Sequence, residues 1–139
     1  MKLTEQDHEL IERAISIVGQ RKVSGGVIGE AAATLLTRDG LVFDGISLAL
    51  WCDIGFCAEH SAVANMVSHC SETRIKSIVA VDDGSAEEIK ILWPCGRCRQ
   101  LLEWIDERNL IETFVIISTT EKVRLIELLP QPPNGQSLK

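Results

Sequence analysis

The sequence contains no long apolar run and no cluster of basic residues, and each absence excludes a class of function. No hydrophobic segment reaches the roughly 20 residues that a membrane-spanning helix needs. Its 14 Lys and Arg are scattered among 20 Asp and Glu, which gives a net charge of −6. A nucleic-acid ligand would favour a basic footprint along its phosphates. We therefore expect no membrane and no nucleic-acid partner, and we expect a small-molecule substrate.

The chain also shows no apolar signal segment, internal repeat or linker. The residues from Met1 to Asp7 lead directly into a helical pattern. The five cysteines, an odd number, fit a reducing compartment better than a disulfide framework. We expect a cytoplasmic protein with one α/β domain over residues 1–130 and an extended or disordered tail over residues 131–139.

Two short cysteine motifs carry the strongest functional signal, Cys57-Ala58-Glu59 and Pro94-Cys95-Gly96-Arg97-Cys98. Three cysteine thiolates can hold one tetrahedral Zn²⁺ and leave its fourth position open for water, as in a catalytic zinc site. Glu59 follows the first ligand by two residues, which matches the non-ligand acid/base of zinc deaminases. The motifs therefore predict Cys57, Cys95 and Cys98 as metal ligands and Glu59 as the catalytic residue.

Two other interpretations of these cysteines remain open. Cys95 and Cys98 have the spacing of a thioredoxin-like redox dithiol, in which a helix N-terminus lowers the pKa of the first thiol. That interpretation gives no role to Cys57. A closed structural zinc site would instead recruit Cys52 or Cys70 as a fourth ligand. Both lie in positions that make them poor partners for the other three.

Hydrophobic periodicity and turn residues predict a mixed α/β order along the chain. The first helix begins at Thr4, where Asp7 completes a capping box, and Gly19 follows its end. Residues 20–29 are predicted to form a loop. The predicted strands cover 31–37, 41–48, 77–81, 89–92, 114–118 and 123–126. A second helix is predicted over 57–69, with Val67 on its buried, apolar side. A third helix is predicted to begin at Pro94-Cys95. These helices place the cysteines at two N-termini, where the dipoles offset the negative charge of a three-thiolate zinc site.

The two cysteine motifs, extended to Arg99-Gln100 and joined by Glu127-Leu128-Leu129-Pro130, resemble those of the cytidine deaminase family. The resemblance covers about residues 4–130. It is closest to the blasticidin-S deaminase-like branch at Leu10 to Ala14 in the first helix, at the predicted Asp39-Gly40 hairpin between the first two strands, and at Pro94 to Gln100. It implies a three-layer α-β-α fold with a mixed five-stranded sheet. It also implies a zinc cofactor and a homotetramer whose active sites are completed by neighbouring subunits.

The resemblance also implies substrate contacts and shows where this chain departs from the family. The backbone of Ala58 would contact the base, and the carbonyl group of Trp93 would face the amino group. Family members that act on nucleosides hold the ribose with an Asn-x-Glu pair, and Ser47 and Ala49 occupy those positions here. His60 stands where many relatives have an Arg that contacts the zinc thiolates, and an ordinary packed or surface role is equally open.

The sequence thus predicts a zinc-dependent aminohydrolase that removes the amino group of a cytosine-type base. The base would belong to a small pyrimidine nucleoside or an analogue, with Ser47 among the substrate-binding residues. An ordinary cytidine or deoxycytidine deaminase of pyrimidine salvage is one alternative. A thioredoxin-like oxidoreductase and a catalytically idle zinc-binding module are alternatives from other classes.

Overall fold

In the computed structural model, which describes residues 1–84 and 88–129, the chain folds into helices packed on one mixed sheet. The helices are α1 (Glu5–Ile17), α2 (Ala58–His69), α3 (Gly96–Ile105), α4 (Asn109–Glu112) and α5 (Leu125–Leu128). The strands are β1 (Arg21–Val23), β2 (Gly26–Thr37), β3 (Val42–Leu50), β4 (Gly55–Phe56), β5 (Ile75–Asp82), β6 (Ile91–Leu92), β7 (Phe114–Ile116) and β8 (Lys122–Arg124). A short 3₁₀ turn, Trp51–Asp53, links β3 to β4.

The sheet runs in the order β4-β3-β2-β5-β7-β8, and β1 and β6 pair with β2 and β5. The β5–β7 pair is parallel, and the other pairs are antiparallel. The mixed α/β class is therefore confirmed, but the described sheet has eight strands where five were expected. The three additional strands are β1, β4 and β6, which have 3, 2 and 2 residues and pair with parts of longer strands.

Helices cover both faces of the sheet. On one face α1 packs Leu10, Ile11 and Ala14 on β2 and β5. On the other face α2 and α3 bury Ala62 and Leu102 among side chains of β2, β5 and β7. Side chains of β2 alternate between these two cores because successive residues of a strand point to opposite faces. None of the described helices combines the length and apolar character that a bilayer-spanning helix requires.

The first helix begins as the sequence predicts. The Asp7 backbone N–H donates to Thr4 Oγ1 at 3.3 Å, and the Thr4 backbone N–H donates to Asp7 Oδ2 at 2.8 Å, which completes the capping box. The helix ends at Ile17, shortly before Gly19.

The spacing between α2 and the sheet depends on Gly45 in β3. A Cβ atom at this position would lie 2.2 Å from the backbone nitrogen of Ala62 and 2.6 Å from the carbonyl carbon of Ser61. Both contacts are with helix backbone, which cannot rotate away as a side chain can. Glycine therefore lets α2 lie directly on the strand.

Several details of the predicted secondary structure and burial are wrong, including the strands expected at 89–92 and 114–118, which cover only Ile91–Leu92 and Phe114–Ile116. Residues 20–29 form no single loop, because β1 pairs with the start of β2 across a tight turn. The last strand is Lys122–Arg124 and not 123–126, since Leu125 begins α5. Val67 was placed on the buried side of α2 and is 45% exposed. The predicted tail at 131–139 lies outside the described residues, and the domain boundary at residue 130 stays a prediction.

Candidate active site

Two helix N-termini bring the three cysteines together. Cys57 is the N-cap residue of α2, and Cys95 is the N-cap residue of α3. Cys98 lies in the first turn of α3 and is 1% exposed. Neither N-cap side chain caps its own helix, so both thiols are free for another ligand. The positive ends of both helix dipoles point toward the cluster, which favours bound thiolates.

The spacing of the three sulfur atoms fits one tetrahedral ion. Their Sγ atoms all lie within 4.8 Å of one another, and Cys57 Sγ is 3.5 Å from Cys95 Sγ. Zinc–sulfur bonds of about 2.3 Å place two sulfurs of a tetrahedral site about 3.8 Å apart. Among the described residues, neither Cys52 nor Cys70 belongs to a cluster of this kind. The geometry thus provides three protein ligands, as catalytic zinc sites do.

The thiols need a cation if they are to ionise together. Burial raises the pKa of Cys57 and, together with the charge of Glu59, raises that of Cys98 strongly. Burial also acts against ionisation of Cys95, but hydrogen bonds from the Cys98 backbone and from the other two thiols lower its pKa. A metal ion reverses this balance, because a coordinating thiol is deprotonated outright. The donor set therefore suits a soft divalent cation such as Zn²⁺.

Glu59 lies in the first turn of α2 beside the thiols and is 6% exposed. Burial raises the pKa of its carboxyl group, and a hydrogen bond with its own backbone partly offsets that effect. Acidic residues that are poised as proton carriers commonly have such raised pKa values. The structure therefore places a carboxyl group with this property next to the cysteine cluster.

Cys57, Cys95 and Glu59 line a cavity of about 540 Å³, within the range of small-molecule sites, and buried Cys98 lies beside them in the sulfur cluster. Ser47, Ala58 and Trp93 all line this cavity, so the structure brings the sequence-predicted site residues together. Trp93 donates its indole N–H to the Ile117 carbonyl at 3.1 Å, which fixes the ring at the edge of the cavity. Ala49, at the position where the resemblance implies a sugar-binding Glu, lines the same cavity.

Three charged residues that line the cavity are absent from the sequence-predicted site, namely Glu30, Asp53 and Arg97. Arg97 lies between two predicted ligands, and its position within that motif could have indicated it. Asp53 belongs to the Trp51–Asp53 turn, where Cys52 and Asp53 both have positive φ angles of 60° and 57°. Non-glycine residues adopt this left-handed conformation at an energetic cost, so tertiary contacts must hold this turn.

His60 stacks on Phe56, with ring centroids 5.0 Å apart and an interplanar angle of 21°. Among the hydrogen bonds of the described residues, none joins His60 to a cysteine. The contact supports a packing role for this ring at the start of α2. It also fixes Phe56, which lines the cavity directly before Cys57.

Comparison with known proteins agrees with this architecture. No protein-family model matches the chain. A crystal structure of cytidine deaminase from Mycobacterium tuberculosis superposes with a TM-score of 0.74 at 24% identity, over 95% of this chain and 99% of that one. For the cytidine deaminase from Mycobacterium leprae the TM-score is 0.73 at 22% identity, over 93% and 100% of the two chains.

A structure with lower sequence identity has the same fold. The cytidine deaminase from Bacillus anthracis has a TM-score of 0.64 at 17% identity, over 88% of this chain and 83% of that one. At these identities the similarity establishes the fold. The chain has the fold of the cytidine deaminases over nearly its whole length.

Proposed function

We propose that this protein is a zinc-dependent hydrolytic deaminase of the cytidine deaminase family. Its substrate is a small nucleoside or nucleoside analogue, from which it removes the amino group of a cytosine-type base. One observation carries the proposal: three thiols have the spacing of a single zinc site, and two of them, Cys57 and Cys95, line one cavity together with buried Glu59. The cytidine deaminase fold supports it, and the sequence motifs favour the blasticidin-S deaminase-like branch.

Cys57, Cys95 and Cys98 would hold the ion. When bound, zinc supplies a Lewis acid that brings the pKa of a water molecule near neutrality. The chain's own contribution is to present three thiol groups at two helix N-termini, two of which, Cys57 and Cys95, line the cavity.

Glu59 is the proton carrier in this proposal. Its carboxylate accepts a proton from the attacking water and delivers it to ring N3, which makes C4 electrophilic, and the water oxygen bonds to C4. The same carboxylate then takes the remaining proton from that oxygen and gives it to the amino group. The C4–N bond breaks, ammonia leaves, and the oxygen stays on C4 as the carbonyl group of the uracil product. The nearly complete burial of Glu59 keeps bulk water from competing for these protons.

The base would lie between Ala58 and Trp93. Both residues line the cavity close to Cys57 and Cys95 in sequence. In this pose the Ala58 backbone contacts the ring, and the Trp93 carbonyl accepts a hydrogen bond from the amino group. The hydrogen bond from the Trp93 indole to Ile117 keeps this segment in position.

The alternatives account for fewer observations. A thioredoxin-like oxidoreductase would use Cys95 and Cys98 and leave Cys57 unexplained, although its sulfur lies 3.5 Å from that of Cys95. A catalytically idle zinc module would need no buried carboxyl group beside the ligands. Ordinary cytidine deamination is disfavoured by Ser47 and Ala49, since Ala49 offers no side-chain acceptor for a ribose hydroxyl. We therefore expect cytidine to be a poor substrate.

We further propose that the protein is a cytoplasmic homotetramer. Large apolar side chains with no intramolecular cover support self-association, since Trp51 is 74%, Trp104 70% and Ile54 65% exposed. Sedimentation equilibrium should then give about four times the chain mass of 15.3 kDa. A monomer at micromolar concentration would contradict this proposal.

The function is tested by metal analysis and an ammonia-release screen. Purified protein should contain close to one zinc per chain. It should release ammonia from at least one of cytidine, deoxycytidine, cytosine, blasticidin S or modified pyrimidines. Zinc-free protein with full activity would refute the zinc mechanism, and zinc-loaded protein that is inactive on the whole panel would leave the binding-module alternative.

The ligand assignment is tested by Cys95→Ser, with Cys52→Ser as the matched control. Cys95 belongs to the sulfur cluster, whereas Cys52 is an exposed thiol outside it. We expect Cys95→Ser to lose zinc and part of its thermal stability, because metal binding contributes directly to folding free energy. Cys52→Ser should keep both. Equal zinc content in the two variants would remove Cys95 from the ligand set.

A further inference from the structure

The wall of the cavity formed by β3 has no free acidic group for a substrate. Ser47 Oγ accepts the backbone N–H of Ala31 at 3.0 Å, so part of its hydrogen-bonding capacity is already used. Ala49 contributes only a methyl group to this wall. An acceptor for the substrate must therefore come from another element.

A bulge in β2 places such a group opposite Ser47. Ile28 pairs with Leu48 and Ala32 with Ile46, so residues 29–31 of β2 face the single residue Ser47. Bulges of this kind redirect side chains and are common beside active sites. Glu30 is the central residue of this bulge, and its carbonyl accepts the Asp83 backbone N–H at 2.8 Å.

Gly29 makes the bulge possible. Its φ angle is +80°, and a Cβ atom there would lie 2.2 Å from the carbonyl oxygen of Gly19. The Gly19 N–H donates to the Gly29 carbonyl at 3.0 Å and fixes the segment from the other side. The backbone that carries Glu30 is thus held by hydrogen bonds at two consecutive residues.

The carboxylate of Glu30 is available to a ligand. Glu30 lines the cavity together with Ser47, Ala49 and Glu59. Within residues 1–84 and 88–129, no ion pair or hydrogen bond involves its carboxylate. The charged residues lining the cavity are three carboxylates (Glu30, Asp53, Glu59) and one guanidinium group (Arg97), which favours a ligand rich in hydrogen-bond donors.

We propose that Glu30 is a specificity-determining residue that accepts hydrogen bonds from the substituent on N1 of the base. This inference rests on the proposed function, which places the C4 amino group at the cysteine cluster. N1 lies across the pyrimidine ring from C4, so its substituent extends away from the cysteines along the β2–β3 wall. The substrate class is a cytosine whose N1 substituent carries O–H or N–H donors. The hydroxyl groups of an altered sugar and cationic amines share this chemistry.

The test compares three synthetic cytosines that differ only at N1: 1-methylcytosine, 1-(2-hydroxyethyl)cytosine and 1-(2-aminoethyl)cytosine. For the wild-type zinc protein, kcat/KM should be higher for one or both donor-bearing compounds than for 1-methylcytosine. Glu30→Ala should lower kcat/KM for the preferred donor compound by about tenfold or more, as expected for a hydrogen bond to a charged group. It should leave 1-methylcytosine unchanged.

The variants distinguish the two kinds of donor. Glu30→Gln keeps an acceptor but removes the charge, so it should preserve activity on the hydroxyethyl compound and lose activity on the aminoethyl compound. Glu12→Ala removes an exposed carboxylate on α1 outside the cavity and should leave the activity on both compounds unchanged. An equal effect of Glu30→Ala on all three compounds, or no effect on any, would overturn the inference.

Calorimetric binding of the three corresponding uracil products separates this inference from the proposed function. If the wild-type protein releases no ammonia, the proposed function fails. A preference for donor-bearing uracils that disappears in Glu30→Ala would still support the role of Glu30. Equal affinity of the wild-type protein for all three uracils would overturn it.

Discussion

At the scale of single residues, the sharpest prediction concerns Glu59. Glu59→Gln keeps the size and hydrogen-bonding capacity of the side chain but removes its ability to accept a proton. Because the proposed mechanism uses Glu59 in more than one proton transfer, we expect kcat to fall by ~10⁴-fold, the upper end for general acid–base catalysis. Zinc content and thermal stability should stay near the wild-type values.

The control for this prediction is Glu12→Gln, which neutralises an exposed carboxyl group on α1. Ammonia release under single-turnover conditions and zinc analysis on the same samples provide the measurement. A Glu59→Gln variant within a few fold of wild type would show that another group carries the proton.

Residue chemistry was partly predictable from the sequence. The cluster of Cys57, Cys95 and Cys98 could be predicted because the spacing of its members is encoded within two short segments, whereas the role of Glu59 stays a prediction. Glu30 could not be identified in this way. Its position depends on the register between β2 and β3, which is a tertiary property that no local pattern reveals.

At the scale of secondary-structure elements, Asn109 connects α3, α4 and β5. Its side chain accepts the Ile75 N–H at 2.9 Å and donates to the carbonyl groups of Leu102 and Thr73 at 2.9 and 3.1 Å. Asn109 is completely buried, so no water can replace these bonds. We expect Asn109→Ala to lower the free energy of unfolding by about 2–4 kcal/mol, because it leaves buried backbone groups unpaired.

Asn65→Ala is the matched control, since the half-buried side chain of Asn65 makes a single hydrogen bond within the described residues, to the Asp44 carbonyl at 3.0 Å. Urea unfolding of both variants measures the difference. Equal destabilisation would show that the Asn109 bonds contribute no more than a single half-exposed bond.

Elements with strong local signals were predicted well, and those without them were not. The capping box at Thr4 and the apolar stripe after it define α1 from local sequence alone. The strand β1 reads as a loop because all three of its residues are exposed and give no apolar alternation. Residues 125 and 126 continue the apolar pattern of β8 but begin α5, where Glu127 accepts the Arg124 backbone N–H at 2.7 Å and supports a helix start.

At the scale of the whole molecule, an ion pair joins the two ends of the described chain. Lys122 Nζ in β8 lies 2.6 Å from Asp7 Oδ2 in α1, and the two side chains are 7% and 3% exposed. Burial acts to raise the pKa of Asp7, but the hydrogen bonds from Lys122 and Thr4 outweigh it, so the net pKa is lowered from 3.8. A lowered folded-state pKa contributes stability above the unfolded value and loses it as the pH falls through the folded value.

We therefore expect the free energy of unfolding to fall as the pH drops below about 4, and to fall less steeply in Asp7→Asn. Asp7→Asn should also be less stable at neutral pH, because it leaves the buried ammonium group of Lys122 without its counter-ion. Urea unfolding between pH 2 and 7 measures both effects. Other acidic groups, such as Asp106 beside Arg108, titrate in both proteins, so the difference between the curves isolates Asp7. Parallel curves would contradict the prediction.

The missing side chain at Gly45 has a consequence for any mutational survey of this protein. Every side chain at this position would push α2 away from the sheet. The N-terminus of α2 carries a proposed metal ligand and the proposed proton carrier. A displacement of even 1 Å at a reacting group can reduce catalysis about 10²-fold. A selection for activity would thus rank Gly45 with Glu59, although glycine has no chemistry of its own. Intolerance to substitution in this fold therefore reports the spacing between layers as much as participation in the reaction.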